Sequence, residues 1–126
     1  MMRGTLDVEP FRWAILGTGA VARKFVLDLR QLGGQAVAQV VASRNPDNAR
    51  AFASTLGVAE VAADYAAAVQ GQVDAVYIAT PPSLHGAHAL FAIAARKPLL
   101  IEKPIATDAA AARRIAQAAE AAGVFC

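Results

Sequence analysis

The chain has 126 residues, a formal net charge of +2, 56% hydrophobic and 17% charged residues, and one cysteine. That length bounds it to one domain of ordinary size, and the composition excludes a predominantly disordered chain. The weak, scattered positive charge gives no case for nucleic acid, no apolar run reaches the ~20 residues of a membrane span, and a lone thiol points to a reducing, cytoplasmic setting.

Residues 1–10 hold Asp7 and Glu9 without an apolar signal core and read as a short, loosely held tail. Residues 12–16 predict a first strand, which runs directly into Gly17-Thr18-Gly19-Ala20-Val21-Ala22. A glycine-rich turn between a strand and a helix is the setting in which a dinucleotide-binding fingerprint has meaning. Gly17 permits the tight turn, Gly19 leaves room for a pyrophosphate, and Ala22 lets the helix pack close to the sheet. The free N–H groups and dipole of the helix that follows, over Ala20 and Val21, favour an anion.

That helix is expected from about Ala20 to Leu32, with Val21, Phe25, Val26, Leu29 and Leu32 inward and Arg23, Lys24, Arg30 and Gln31 outward, stopped by Gly33-Gly34. Ala36–Ala42 predicts the second strand. Asn45 or Asp47 begins the next helix, Pro46 suits its first turn, and Ala49, Phe52, Ala53 and Leu56 form its stripe up to Gly57. A short third strand near Val58–Ala62 leads to a small helix from Asp64. Val73–Ala79 reads as a strand buried on both faces. A helix over Ser83–Ala95 presents Leu84, Ala87, His88, Phe91, Ala94 and Ala95. Leu99–Ile101 is a fifth strand, and Asp108 caps a last helix with Ala112, Ile115, Ala116 and Ala119 inward, closing at Gly123. Strands separated by helices predict one α/β domain over residues 11–126, a doubly wound parallel sheet of the Rossmann-like kind. Gly123-Val124-Phe125-Cys126 resembles the opening of a truncated sixth strand, as in a piece of a longer protein.

In such a sheet ligands sit over the carboxyl ends of the strands, near the switch in strand order. Three further features fall on that edge. Ser43-Arg44-Asn45 ends the second strand, and positions 40 to 46 hold no acidic residue to bind a ribose 2′-OH. A hydroxyl and a guanidinium suit a 2′-phosphate, which favours NADP; the plain alternative is a solvated arginine. Thr80-Pro81-Pro82 ends the fourth strand, with His85 in the first turn beyond it. His85 is open to a structural or a ligand-facing role, whereas His88 on the apolar stripe reads as a packing histidine. Glu102-Lys103-Pro104 follows the fifth strand. A lysine beside a carboxylate there can polarise a substrate hydroxyl or carbonyl, although an isolated Glu-Lys pair is commonly a solvated surface pair. Asp28, Asp64 and Asp74 have no catalytic or metal-ligand spacing and are explained by helix ends and loops.

The order A-I-L-G-T-G-A-V-A, V-A-S-R-N, D-A-V-Y-I-A-T-P-P-S-L-H and I-E-K-P-I-A resembles the N-terminal half of the glucose–fructose oxidoreductase and inositol dehydrogenase family. F-R-W-A-I-L-G-T-G-A-V-A-R-K-F and V-D-A-V-Y-I-A-T-P are most similar to its dihydrodiol and D-xylose dehydrogenase branch. The resemblance spans Phe11 to Cys126 and implies an NADP-linked oxidoreductase acting on a sugar or vicinal diol. It implies that Lys103 lies near substrate and cofactor with Pro104 fixing its direction, that Glu102 adjoins the same site, and that Thr80, Pro81 and His85 line the cofactor cleft. Ser43 and Arg44 match the NADP-preferring branch. The family's second domain, which binds substrate, supplies the acid–base partner and commonly forms the dimer interface, is not in this sequence. The portion present is therefore expected to bind nucleotide and to be nearly inactive alone. The alternatives are a non-catalytic nucleotide-binding regulatory module and a homo-oligomer paired through the unfinished strand. Arg96-Lys97-Pro98 stands where a Gly-Lys-His type of turn is common in the family.

Overall fold

A computed structural model describes residues 9–126, so residues 1–8 of the expected tail lie outside the described residues. Strand and helix alternate as β1 (Phe11–Leu16), α1 (Ala20–Leu29), β2 (Ala36–Ala42), α2 (Pro46–Leu56), β3 (Glu60–Val61), α3 (Tyr65–Gln70), β4 (Ala75–Ile78), α4 (Pro82–Ala94), β5 (Leu99–Ile101) and α5 (Ala109–Ala122), with a 3-10 turn at Arg30–Leu32. The strands form one parallel sheet in the order β3-β2-β1-β4-β5. The chain winds outward from β1 to β3, then returns to place β4 on the other side of β1. The switch in strand order therefore lies between β1 and β4.

Side chains alternate across the sheet with the period of two that a pleated strand imposes. Ala14, Leu16, Val40, Ala42, Val76 and Ile78 pack against α3, α4 and α5. Ile15, Val41 and Tyr77 face α1 and α2, joining Val26, Phe52 and Leu56. On that second face Trp13 meets Phe25 edge-on at 5.1 Å, and Phe25 stacks on Tyr77 at 4.0 Å. Helices on both faces of a parallel sheet are the predicted doubly wound architecture.

Helix ends follow the sequence signals. Asn45 caps α2 by accepting from the Asp47 N–H, Asp64 caps α3, and Asp108 caps α5. Gly33, Gly57 and Gly123 close their helices in the left-handed conformation. Asp28 pairs with Lys24, and Asp74 accepts from the Arg12 N–H, so neither carboxylate is held ready for chemistry.

Two packing stripes match their expected places only in part. On α1 Val26 and Leu29 are buried and Phe25 packs on the core as expected, joined by Ala22, while Val21, and Leu32 in the 3-10 turn, are 49% and 47% exposed. On α4 the buried residues are His85, His88, Ala89, Ala92 and Ile93, not the side bearing Ala87, Phe91 and Ala94. Alanines make the close contacts in both helices, and larger apolar residues beside them are left at the surface. Arg96 takes a positive φ of 57°, the backbone conformation a glycine would adopt freely. Its guanidinium donates to the Ala122 carbonyl at the end of α5, a contact that offsets part of the strain. After Gly123 no strand forms, but the Leu99 N–H donates to the Phe125 carbonyl at 2.9 Å along the β5 edge.

Candidate functional site

At the carboxyl edge of the sheet, the exits of β1, β2 and β4 enclose a cleft of about 490 Å³. It is lined by Gly17, Thr18 and Gly19 after β1, by Ser43, Arg44 and Asn45 after β2, and by Thr80 and Pro81 after β4. Three loops marked by their sequences thus converge on one wall. Gly17 has a φ of 110°, and a β-carbon there would stand 2.7 Å from the Ala79 carbonyl oxygen. This glycine lets the first turn pass directly beside the backbone leaving β4.

Gly19 is a different case. Its backbone is extended, at φ −80° and ψ −172°, and a β-carbon there would meet no protein atom within 4 Å. Nothing in the chain itself requires a glycine at that position. Ala20 and Val21 continue into the first turn of α1, which has no side-chain cap. Its leading N–H groups are therefore free to receive an anion from the cleft. Helix α4, starting at the other side of the switch, is also without a side-chain cap. A glycine turn with room beside it, set before an uncapped helix N-terminus, fits a pyrophosphate.

Ser43 Oγ accepts hydrogen bonds from Thr18 Oγ1 at 3.4 Å and from the Asn45 N–H at 3.3 Å. Its own proton remains available to a ligand oxygen. Arg44 is exposed beside it, and Asp47, the nearest carboxylate in sequence, pairs with Arg50. The β2 exit thus carries a donor and an unneutralised cation.

Thr80 is buried, and its Oγ1 lies 2.8 Å from His88 Nδ1. His88 packs against Tyr65, as a structural histidine should. Burial holds the His88 imidazole below its ordinary value of 6.5, with nearby His85 adding to the effect. Below about pH 6.5 the unfolded chain binds protons that the fold resists. The stability linked to His88 is therefore full above that pH and declines as pH falls from there toward the lowered folded value. Melting temperatures of wild type and His88→Gln at about pH 5.5 and about pH 7.5 check this. The variant is expected to show the smaller difference, and an unchanged difference would exclude His88 as its source.

His85 is 1% exposed and lies beneath the cleft rather than along its wall. Its Nε2 approaches the Thr80 carbonyl at 2.7 Å and its Nδ1 the Pro104 carbonyl at 2.9 Å. The ring therefore lies between the β4 exit and the segment after β5, and in either tautomer its N–H donates to one of the two carbonyls. His85 is expected to line the cleft; in the structure it is not among the residues around that cavity, and each ring nitrogen faces a backbone carbonyl.

Glu102 accepts from the Tyr77 hydroxyl at 2.6 Å, and burial followed by this carboxylate raises the Tyr77 phenol well above its ordinary value. Lys103 is exposed, and the Lys103–Pro104 peptide is cis. Neither Glu102 nor Lys103 lines the cleft itself; they stand at the β5 exit next to β4. Asn48, Tyr65 and Leu84 line it although their sequence context does not single them out. Each sits in the first turn of a helix beginning at the carboxyl edge, which is the signal that could have found them.

Among the described residues no group of three or more metal-ligating side chains exists, and no helix is long and apolar enough to cross a membrane.

Over residues 11–126 the chain matches the family described as an oxidoreductase family with an NAD-binding Rossmann fold. An inositol 2-dehydrogenase of Klebsiella pneumoniae (strain 342) is 37% identical over 111 residues, 86% of this chain and 33% of that protein. Among solved structures, KijD10, a 3-ketoreductase from Actinomadura kijaniata in complex with NADP and TDP-benzene, is 31% identical. It superposes with a TM-score of 0.80, covering 91% of this chain and 35% of that one. The WlbA dehydrogenase from Bordetella pertussis, in complex with NADH and UDP-GlcNAcA, is 27% identical with a TM-score of 0.85, over 91% and 35% of the two chains. The chain spans about a third of the length of the curated relatives it matches.

Proposed function

The chain belongs to the GFO/IDH/MocA oxidoreductase family, and from that premise we propose that it is the NADP-binding portion of an enzyme moving hydride between the nicotinamide and a sugar or vicinal diol. The observation that carries the choice of cofactor is the β2 exit. The fold serves NADP and NADH alike, so the residues there decide between them. Ser43 offers a free hydroxyl proton and Arg44 a cation, with no carboxylate over positions 40 to 46 to bind a bare ribose. Gly17, Thr18, Gly19 and the first turn of α1, with Ala20 and Val21, would hold the pyrophosphate. Thr80 and Pro81 would border the nicotinamide side.

NADP supplies the hydride acceptor or donor when bound. Lys103 is assigned the polarising role toward the substrate oxygen, with Glu102 beside it fixed by Tyr77. His85 acts by packing between the β4 exit and the Pro104 carbonyl, beneath the site. Proton transfer needs a further positioned partner, so these residues alone are expected to bind nucleotide and turn over very slowly. Within the family, the shared strings around Gly17 and Val76 support the dihydrodiol and D-xylose dehydrogenase branch. Homo-oligomer formation and a cytoplasmic setting belong to the same reading, the latter supported by the free thiol of Cys126.

Calorimetric titration with NADP⁺ and NAD⁺ at matched salt tests this. NADP⁺ is expected to bind at least about tenfold more tightly, and Arg44→Gln to remove most of that difference. Equal or tighter binding of NAD⁺ would overturn the choice of cofactor, and binding of neither would overturn the site.

A further inference from the structure

We infer that Arg23 is a second cation for the 2′-phosphate, reaching it from the helix opposite Arg44; this rests on the NADP reading above. Arg23 lies in the first turn of α1, four residues beyond Gly19. With Thr18, Asn48, Ala51 and Thr55 it lines a polar hollow between α1 and α2. Thr18 and Asn48 also line the main cleft with Ser43 and Arg44. The two hollows therefore meet along one seam, with a guanidinium on either side of it.

The charge pattern separates these two arginines from their neighbours. Lys24 pairs with Asp28 at 2.9 Å, and Arg50 pairs with Asp47. Among the described residues, neither Arg23 nor Arg44 has a carboxylate within ion-pair distance. Asp47 is the acidic residue nearest the seam in sequence, and Arg50 already occupies it.

Arg23 also sits where helix electrostatics disfavour it. The N-terminal turn of a helix carries partial positive charge, and a cation there is locally unfavourable. No side-chain cap relieves that turn. A dianion at the seam would reverse the sign, pairing with Arg23 and Arg44 while the bare turn faces the pyrophosphate beyond. Guanidinium groups suit this task because they donate bidentately to phosphate oxygens. Asn48, between them, adds an uncharged donor.

The test uses the 126-residue chain with Arg23→Gln, Arg23→Lys and Arg44→Gln, titrated with NADP⁺, NAD⁺ and the fragment adenosine 2′,5′-bisphosphate. Arg23→Gln is expected to weaken NADP⁺ and the fragment about tenfold, and NAD⁺ less than about threefold. Arg23→Lys should recover part of that loss, since charge is kept while the fork is lost. Melting curves establish that the variants are folded, which the exposure of Arg23 leads one to expect. Equal weakening of NADP⁺ and NAD⁺ by Arg23→Gln would move Arg23 to the pyrophosphate and overturn the inference. So would no change in either. If wild type prefers NADP⁺ and only Arg44→Gln lowers that preference, the cofactor reading stands and the role of Arg23 falls. If wild type binds both cofactors without preference, the cofactor reading fails and takes this inference with it.

Discussion

Replacing Gly17 with alanine is expected to destabilise the chain by about 3–4 kcal/mol, the largest effect foreseen for any single methyl group added here. Two causes act together. The native φ of 110° is one that a residue with a β-carbon rarely adopts. The new carbon would also stand 2.7 Å from the Ala79 oxygen and 2.9 Å from the Ala79 carbon. Both are backbone atoms at the end of β4, where the Ala79 N–H is bonded to the Leu16 carbonyl, so rotamer change offers no relief. Against a typical total of about 5–15 kcal/mol, the loss would be a large fraction of the folding free energy. Urea unfolding of wild type and variant measures it. A difference below about 1 kcal/mol would show that the β1 and β4 exits separate easily and that the switch region is soft.

Gly19→Ser is expected to act in the opposite sense on stability while removing function. The backbone at Gly19 is already that of a helix N-cap, and a serine there can accept from the bare first turn of α1. Because its β-carbon meets nothing in the protein, folding should be unchanged or improved by less than about 1 kcal/mol. The same hydroxyl and carbon would occupy the pyrophosphate cradle and engage the N–H groups that receive it. NADP⁺ affinity is expected to fall by about 2–3 kcal/mol, a factor of roughly 30 to 150. Paired melting and calorimetric measurements separate the two effects. Unaltered affinity in a folded Gly19→Ser chain would place the pyrophosphate elsewhere.

These two glycines also mark how far the amino-acid sequence is legible. Their spacing locates the turn, but not that one answers to the chain's own backbone and the other to a ligand; that distinction needs the position of Ala79, 62 residues after Gly17. The α2 stripe of Ala49, Phe52, Ala53 and Leu56 is legible because its large residues lie on the buried side. On α1 the same logic finds Phe25, Val26 and Leu29 but misses Ala22 and wrongly adds Val21 and Leu32, and on α4 it finds His88 but misses His85, Ala89, Ala92 and Ile93. Ala22, Ala89 and Ala92 make the tight contacts there, and alanine contributes little to an apolar pattern in a chain so rich in it. The site follows the same rule. Residues at strand exits are recognisable from their local sequence, while Asn48, Tyr65 and Leu84 belong to helix starts whose meeting depends on the strand order. His85 cannot be assigned from spacing, because one of its partners is a backbone carbonyl 19 residues away.

The aromatic contact between Trp13 and Phe25 gives the protein an optical property of its own. Trp13 is the chain's single tryptophan, half-buried between β1 and α1. Its emission therefore reports how firmly α1 is seated on the sheet, without interference from a second indole. Since the turn that leads into that same helix lines the cleft, ligand capture and helix docking can be followed through one fluorophore. Reduced nicotinamide absorbs in the range where indole emits, so its arrival would quench Trp13 by energy transfer even if the backbone did not move.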